Sequence, residues 1–306
     1  MTTWYAISEI MNKRFSSISI IYNPHSTGDS KSMAKKLSTN LQKELDGVTI
    51  KLVATKYAGH ARELAKQIAA REKTPLIISS SGDGGYNEVV NGVMEANNVE
   101  AVCAVLPAGN ANDHSRTVQE NRPLLKGILK GKVTKLDLLK VILTFPEGNK
   151  KTMYAHSYAG LGLTPVIAVE LNKNDLNALN EILITLKTFF KYRPFKIHHD
   201  DKVIEIDSLL FANINQMAKI LTLASPTRLD DGKFEVIVLP AGRKLMLVRT
   251  LVKALTSSLD TAKRYKTYEF TTIKKMPMQL DGEVHKLPAG SKVKVISAHA
   301  ALKTVV

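Results

Sequence analysis

The 306-residue chain has a single cysteine, Cys103, which excludes any disulfide within it. That thiol lies in Val102-Cys103-Ala104-Val105-Leu106, the setting of an inert core thiol rather than a nucleophile. A chain of this kind fits a reducing cytoplasm. No apolar run reaches the roughly 18 residues that a spanning helix needs. Residues Met1 to Phe15 mix Trp4, Ile7, Ile10 and Met11 with Glu9, Lys13 and Arg14, so they lack the unbroken apolar core of a secretion signal. The eight histidines show no metal-binding spacing, and one cysteine adds nothing to them, so zinc is not expected. There is no internal repeat and no low-complexity tract. Acid is also scarce: 28 acidic against 43 basic residues leave a net charge of +15. That balance favours a polyanionic partner, whether nucleic acid, anionic membrane or a phosphorylated ligand, without choosing among them.

What is present belongs to a globular protein, with 44% hydrophobic and 23% charged residues. The length suits roughly two domains. In the first half strands and helices alternate. Ile18–Tyr22, Thr49–Ala54, Leu76–Ser79 and Val102–Leu106 read as strands. Met33, Leu37, Leu41 and Leu45 form an i+4 stripe, and helical spacing recurs over Ala58–Lys73 and Tyr86–Asn97. This pattern predicts a parallel sheet covered on both faces, with ligands beyond the C-terminal strand ends. From about Leu136 short strand-like segments take over: Leu136–Phe145, Met153–Tyr158, Val203–Ile206, Leu209–Ile214, Phe234–Leu239 and Val293–Ile296. Helical stretches near Asp175–Tyr192 and Arg243–Ser258 interrupt them. The second domain is therefore expected to be mainly antiparallel β-structure.

Every strand of the first half ends in a polar loop. Ser81-Gly82-Asp83-Gly84-Gly85-Tyr86-Asn87-Glu88 follows Leu76-Ile77-Ile78, and its glycines let backbone N–H groups approach an anion. The competing reading is a tight strand-to-helix turn with no ligand. Asn23-Pro24-His25-Ser26-Thr27-Gly28 is either a nucleotide contact or an Asn-Pro turn. Thr55 is either a similar contact or a helix cap. Pro107-Ala108-Gly109-Asn110-Ala111-Asn112-Asp113 combines a close backbone approach with an Asn-Asp pair. Four such loops at four successive strand ends outweigh coincidence.

Later carboxylates are ambiguous. Arg228-Leu229-Asp230-Asp231-Gly232-Lys233 either helps bind a hard cation or makes an Asp-Gly turn. Asp281-Gly282-Glu283 puts two acids on one side of an extended strand, as a hydroxyl-deprotonating pair would need, but a turn explains it equally well. Lys187–Lys196 and Arg243–Leu255 are basic and apolar, suiting either an anionic membrane surface or ordinary core packing.

Together these motifs resemble the diacylglycerol kinase catalytic family, which includes bacterial soluble lipid kinases and sphingosine kinases. The family pattern Gly-Gly-Asp-Gly-Thr-x-Asn-Glu-Val meets Ser81–Val89, and Pro-x-Gly-Thr-x-Asn-Asp meets Pro107–Asp113. Asp137-Leu138, Leu229–Gly232 and Asp281–Glu283 match three further motifs in order. The resemblance implies an α/β fold with a nucleotide-binding domain at residues 1–138, which the last fifteen or so residues could rejoin. It also implies a C-terminal antiparallel β-sandwich at 139–306 and an active site in the cleft between the two. It implies ATP and Mg²⁺ as cofactors and a lipid hydroxyl as acceptor. Asn23, Thr55, Ser81, Gly82, Asp83, Gly84, Gly85, Asn87, Gly109 and Asn110 would serve the nucleotide. Asp83, Asp113 and Asp137 would hold the catalytic Mg²⁺ network, and Asp231 with the carbonyls of Arg228 and Lys233 a structural one. Glu283, supported by Asp281, would be the base, with Asp83 its rival. Ser81 stands where the family has Gly, and Gly85 and Asn110 stand where it has Thr, which removes two hydroxyls.

The expectation is a cytoplasmic lipid kinase, peripheral at the inner membrane surface, with no nucleic-acid partner and with a second copy of the chain as an open partner. The alternatives are a kinase of a soluble acceptor such as a nicotinamide dinucleotide, and a non-catalytic basic protein that binds anionic membrane or nucleic acid.

Overall fold

The structure is a computed structural model that describes residues 14–306, except 27, 111, 121, 164, 167–187, 189–190, 218–220, 223–227 and 243–261. The helix expected at 243–258 lies outside the described residues, as does nearly all of that expected at 175–192. With them go the basic apolar segment 243–255 and part of 187–196. Contacts divide the chain into two units, Met1–Leu136 with Ala300–Val306, and Asp137–His299.

The first unit runs β1 (Ser17–Tyr22), α1 (Ser30–Glu44), β2 (Thr49–Ala54), α2 (His60–Arg71), β3 (Pro75–Ser81), α3 (Asp83–Ala96), β4 (Val102–Pro107), α4 (Asp113–Gln119) and α5 (Leu124–Lys130). Strands β2-β1-β3-β4 pair in parallel. Ile18, Ile20, Leu76, Ile78, Val102 and Ala104 share one face, buried with Ala34, Leu37 and Leu41 of α1 and with Leu124 and Ile128 of α5. Ile77 and Cys103 point the other way and are equally buried, so both faces of β3 and β4 are covered and their apolar runs are continuous, while the edge strand β2 is largely exposed. Burial pushes the Cys103 thiol up to about 12, which keeps it protonated and inert. Met33 of the expected stripe is only half-buried; Ala34, Leu37 and Leu41 carry the contact instead.

Helices α2 and α3 meet at Gly92. A Cβ there would lie 2.2 Å from the Arg62 carbonyl oxygen and 2.9 Å from the Ala65 Cβ. Gly92→Ala is therefore expected to destabilise the protein by about 1–3 kcal/mol through overpacking. Thermal denaturation checks this, and an unchanged midpoint would mean the helices separate freely.

The chain continues through β5 (Val133–Thr144), β6 (Lys150–Ala155), β7 (Tyr158–Gly162), β8 (Phe195–His199), β9 (Lys202–Ala212), β10 (Gln216–Met217), β11 (Leu221–Thr222), β12 (Phe234–Pro240), β13 (Lys263–Tyr265), β14 (Thr267–Thr272), β15 (Met276–Leu280), β16 (Glu283–Leu287) and β17 (Lys292–Val305). Pairings in the second unit are antiparallel: β9 takes β7, β8 and β12, β15 takes β7 and β16, and β14 takes β8 and β17. Phe211 of β9 anchors the core, edge-on to Phe234 and Tyr268 at ring separations of 6.0 and 5.4 Å. Strand β17 starts in this unit beside β14, and its end pairs in parallel with β4 through Lys303 and Thr304.

Three expected strands change form. Met153–Tyr158 is broken at His156 and Ser157, whose N–H groups leave the ladder for the Asp281 carboxylate. Val203–Ile206 and Leu209–Ile214 fuse into β9, because Asp207 and Ser208 are themselves buried.

Candidate active site

In the first unit the strand-end loops lock together through positions where only glycine fits. A Cβ on Gly109 would lie 2.4 Å from the Gly82 Cα, and one on Gly28 would lie 2.5 Å from the Ala108 carbonyl oxygen. The Ala108 N–H donates to the Ser81 carbonyl at 3.0 Å. Ser30 and Ser80 exchange hydroxyl-to-carbonyl bonds at 2.5 and 2.8 Å. The Asn112 amide clasps both backbone groups of Gly109 at 3.0 and 2.6 Å. These contacts frame a cavity of about 790 Å³, lined by Asn23, Thr55, Ser81, Gly82, Gly85, Gly109 and Asn110 among others. All seven were singled out from sequence.

Helix α3 begins three residues earlier than its apolar spacing predicts, so Asp83, Gly84 and Gly85 form its first turn. Gly82 caps it in extended backbone, and its carbonyl receives the Tyr86 N–H at 3.1 Å. The first-turn N–H groups of a helix have no partner inside it and suit an anion. The Asp83 carboxylate accepts the N–H groups of Asp113 and His114 at 3.2 and 3.3 Å, tying this turn to the start of α4. Asp113 is fully buried and ion-paired with Arg116. Asn87 is buried too; its carbonyl oxygens accept the Asn91 amide at 2.9 and 3.0 Å, and it does not line the cavity.

Sequence reasoning gave Glu88 no role of its own. Its two carboxylate oxygens accept the Gly59 and Ala61 N–H groups at 3.1 and 3.2 Å, fixing the start of α2 beside Thr55. Asn23 makes its turn as well as lining the cavity, since its Oδ1 accepts the His25 N–H at 2.9 Å. The two readings of that loop are compatible.

In the second unit Asp137 joins two of the motifs. Its N–H donates to the Leu229 carbonyl at 2.7 Å, and its carboxylate accepts the Gly232 N–H at 2.5 Å and meets His299 Nδ1 at 2.9 Å. Asp281 and Gly282 are the two residues between β15 and β16, with φ of 46° and 96°. This is an Asp-Gly hairpin turn of the kind that needs positive φ at both positions. Asp281 is therefore the first residue of the turn and Glu283 the first of β16, which selects the turn over the extended-strand reading. The Asp281 carboxylate is wholly buried and accepts the N–H groups of His156, Ser157 and Tyr158 at 2.6, 3.0 and 2.9 Å. Glu283 is half-buried, with His285 Nε2 at 3.8 Å.

Known proteins match this arrangement. Residues 17–141 match the model of the diacylglycerol kinase catalytic domain. A diacylglycerol kinase of Bacillus subtilis is 30% identical over 280 residues, covering 86% of this chain and 88% of that protein. The chain belongs to the diacylglycerol kinase family. A diacylglycerol kinase of Staphylococcus epidermidis is 27% identical over 290 residues, covering 88% of this chain and 87% of its own. A crystal structure of a diacylglycerol kinase from Bacillus anthracis superposes with a TM-score of 0.70 at 20% identity, over 95% of this chain and 97% of that one, and shows the same fold. Membership makes the protein a lipid kinase.

At Asp231, where the resemblance implies a structural Mg²⁺, both carboxylate oxygens have protein partners. One Asp231 oxygen is held by the Arg264 guanidinium and the other accepts the Lys233 N–H at 3.1 Å. Burial raises the Asp231 carboxyl, but the bonds and charges of Arg264, Lys233 and Arg228 outweigh it and leave the group below its ordinary range. Asp231 thus already has a cation, supplied by the protein. Among the described residues no group of three or more His, Cys, Asp or Glu side chains is placed to hold a metal.

Arg264 also approaches the buried Glu235, with Nε 3.5 Å from Oε1. Burial pushes the Glu235 carboxyl from 4.5 up to about 7, with Arg264 opposing the rise. A carboxyl whose folded value is raised holds its proton longer when folded, so its contribution is full below pH 4.5 and lost as pH climbs to 7. Glu235→Gln is expected to flatten the fall in stability across that window and to raise the melting temperature at pH 8. A pH series of thermal melts checks it; parallel curves for the two proteins would refute it.

Proposed function

We propose that the chain moves the γ-phosphoryl group of ATP to the hydroxyl of diacylglycerol or a related lipid alcohol at an anionic membrane surface. The observation that carries this is the cavity of about 790 Å³ at the strand ends, walled by mutually packed glycine loops and opening on the first turn of α3. The backbone donors and lack of side-chain bulk along its glycine loops suit a polyphosphate. In the transfer, the lipid oxygen forms a bond to the γ-phosphorus as the bond to the β-bridging oxygen breaks. ADP leaves, and the hydroxyl proton passes to Glu283. Asp83, Asp113 and Asp137 offer the oxygen ligands that suit Mg²⁺, which would neutralise charge on the transferred group. Each of these carboxylates already accepts a protein hydrogen bond or ion pair, so each would be held in place within its own unit for a metal carried in by the nucleotide. The net charge of +15 favours residence on anionic lipid, and no helix among the described residues is long and apolar enough to cross a membrane. In the cell this corresponds to the cytoplasmic leaflet.

The deciding experiment is Mg²⁺-dependent transfer from γ-labelled ATP into a total lipid extract, with identification of the product. A labelled phosphatidic acid or lipid phosphate is expected. Labelling of a soluble dinucleotide instead would select the soluble-acceptor reading. No consumption of ATP, with salt-sensitive binding to anionic vesicles, would select the non-catalytic one.

A further inference from the structure

Resting on the nucleotide reading above, we infer that Ser81 and Gly85 are a complementary pair. The Ser81 hydroxyl is the phosphate-facing hydroxyl of the glycine loop, and residue 85 is glycine because Ser81 fills its side-chain space. A Cβ built on Gly85 would lie 2.7 Å from the Ser81 Cβ and 2.8 Å from its Oγ. Gly85 is not among the residues with positive φ, so backbone conformation does not require glycine there. Space does. The Ser81 Cβ cannot swing aside, because it is fixed to the last residue of β3, which is in register with Pro107 of β4.

The hydroxyl itself is poised for a ligand. Ser81 Oγ lies 2.7 Å from Ser79 Oγ and 3.0 Å from the carbonyl of its own neighbour, Gly82. If Ser79 donates to Ser81, the Ser81 proton needs only a rotation about Cβ–Oγ to leave that carbonyl for an anion. Ser79, Ser81 and Gly85 all line the cavity. Compared with the family pattern, glycine and hydroxyl-bearing residue have exchanged places across the first turn of α3. The hydroxyl missing from position 85 is thus supplied from position 81, and only one of the two sites can carry a side chain.

The test is a double-mutant cycle on the full chain, read by Mg²⁺-ATP affinity in calorimetry and by melting temperature without nucleotide. Ser81→Ala keeps the Cβ and should weaken ATP binding about tenfold or more, as loss of a hydrogen bond to a charged group does, with little change in melting. Gly85→Thr alone should lower both the melting temperature and the affinity. Ser81→Gly with Gly85→Thr should recover most of both, a coupling that independent positions would not show. The pairing is overturned if Gly85→Thr is harmless, or if the double variant is no better than Gly85→Thr. The hydroxyl role is overturned if Ser81→Ala binds ATP like the parent. Failure of the parent to bind ATP overturns the nucleotide reading itself, a result distinct from the others.

Discussion

Asp83→Asn should cut turnover by about a thousandfold or more, roughly 4 kcal/mol of transition-state stabilisation, while the protein stays folded. The substitution keeps the shape and one carbonyl oxygen. It removes the carboxylate charge at the first turn of α3 with which Asp83 is proposed to hold the Mg²⁺ that neutralises the transferred phosphoryl group. It also turns an NH₂ group toward one of the two N–H donors, Asp113 or His114, that the carboxylate now receives. That structural part is worth about 1–3 kcal/mol, the cost of a buried donor left without its acceptor. The two parts separate experimentally. A structural tie alone predicts a lower melting temperature with turnover reduced only by the unfolded fraction. A role in transfer predicts a fall in kcat far beyond that fraction, with the affinity for lipid retained. Turnover like the parent's, measured with saturating Mg²⁺-ATP on mixed micelles, would remove Asp83 from the site.

The first unit was the more legible in sequence, for a physical reason. Strands β1, β3 and β4 are buried on both faces and α1, α2 and α3 carry one apolar stripe each, so period and composition agree there. The exposed β2 and the short α4, which buries mainly polar residues, lack that support. The loops were legible because Gly28, Gly82 and Gly109 each meet backbone, and such close approaches tolerate nothing else. The start of α3 was not, since Gly82-Asp83-Gly84-Gly85 has no apolar periodicity to announce a helix and its backbone is set by packing against the Pro107 loop. In the second unit, short strands interrupted by buried polar residues blurred the pattern. The break at His156 is caused by Asp281, 125 residues away, and no local window contains both. The same holds for Arg264 against Asp231 and for His299 against Asp137, contacts made only after strands distant in sequence have paired.

Asp281→Ala should destabilise the second unit by about 3–6 kcal/mol, much of the 5–15 kcal/mol that a typical domain has to spare. Three buried backbone donors, on His156, Ser157 and Tyr158, would lose their acceptor at once. Water cannot replace the carboxylate without opening the turn, because Asp281 is wholly buried. Alanine also tolerates the φ of 46° at this position less well than Asp or Asn. The loss reaches function through the hairpin. The Asp281-Gly282 turn sets where β16 begins, and Glu283 is its first residue, so releasing the carboxylate releases the proposed base. Glu283→Gln provides the contrast, since it should abolish proton removal with almost no change in stability. Urea denaturation and turnover of both variants would thus show opposite patterns. Should Asp281→Ala melt like the parent while Glu283→Gln unfolds, the division of labour between the two acids would be reversed.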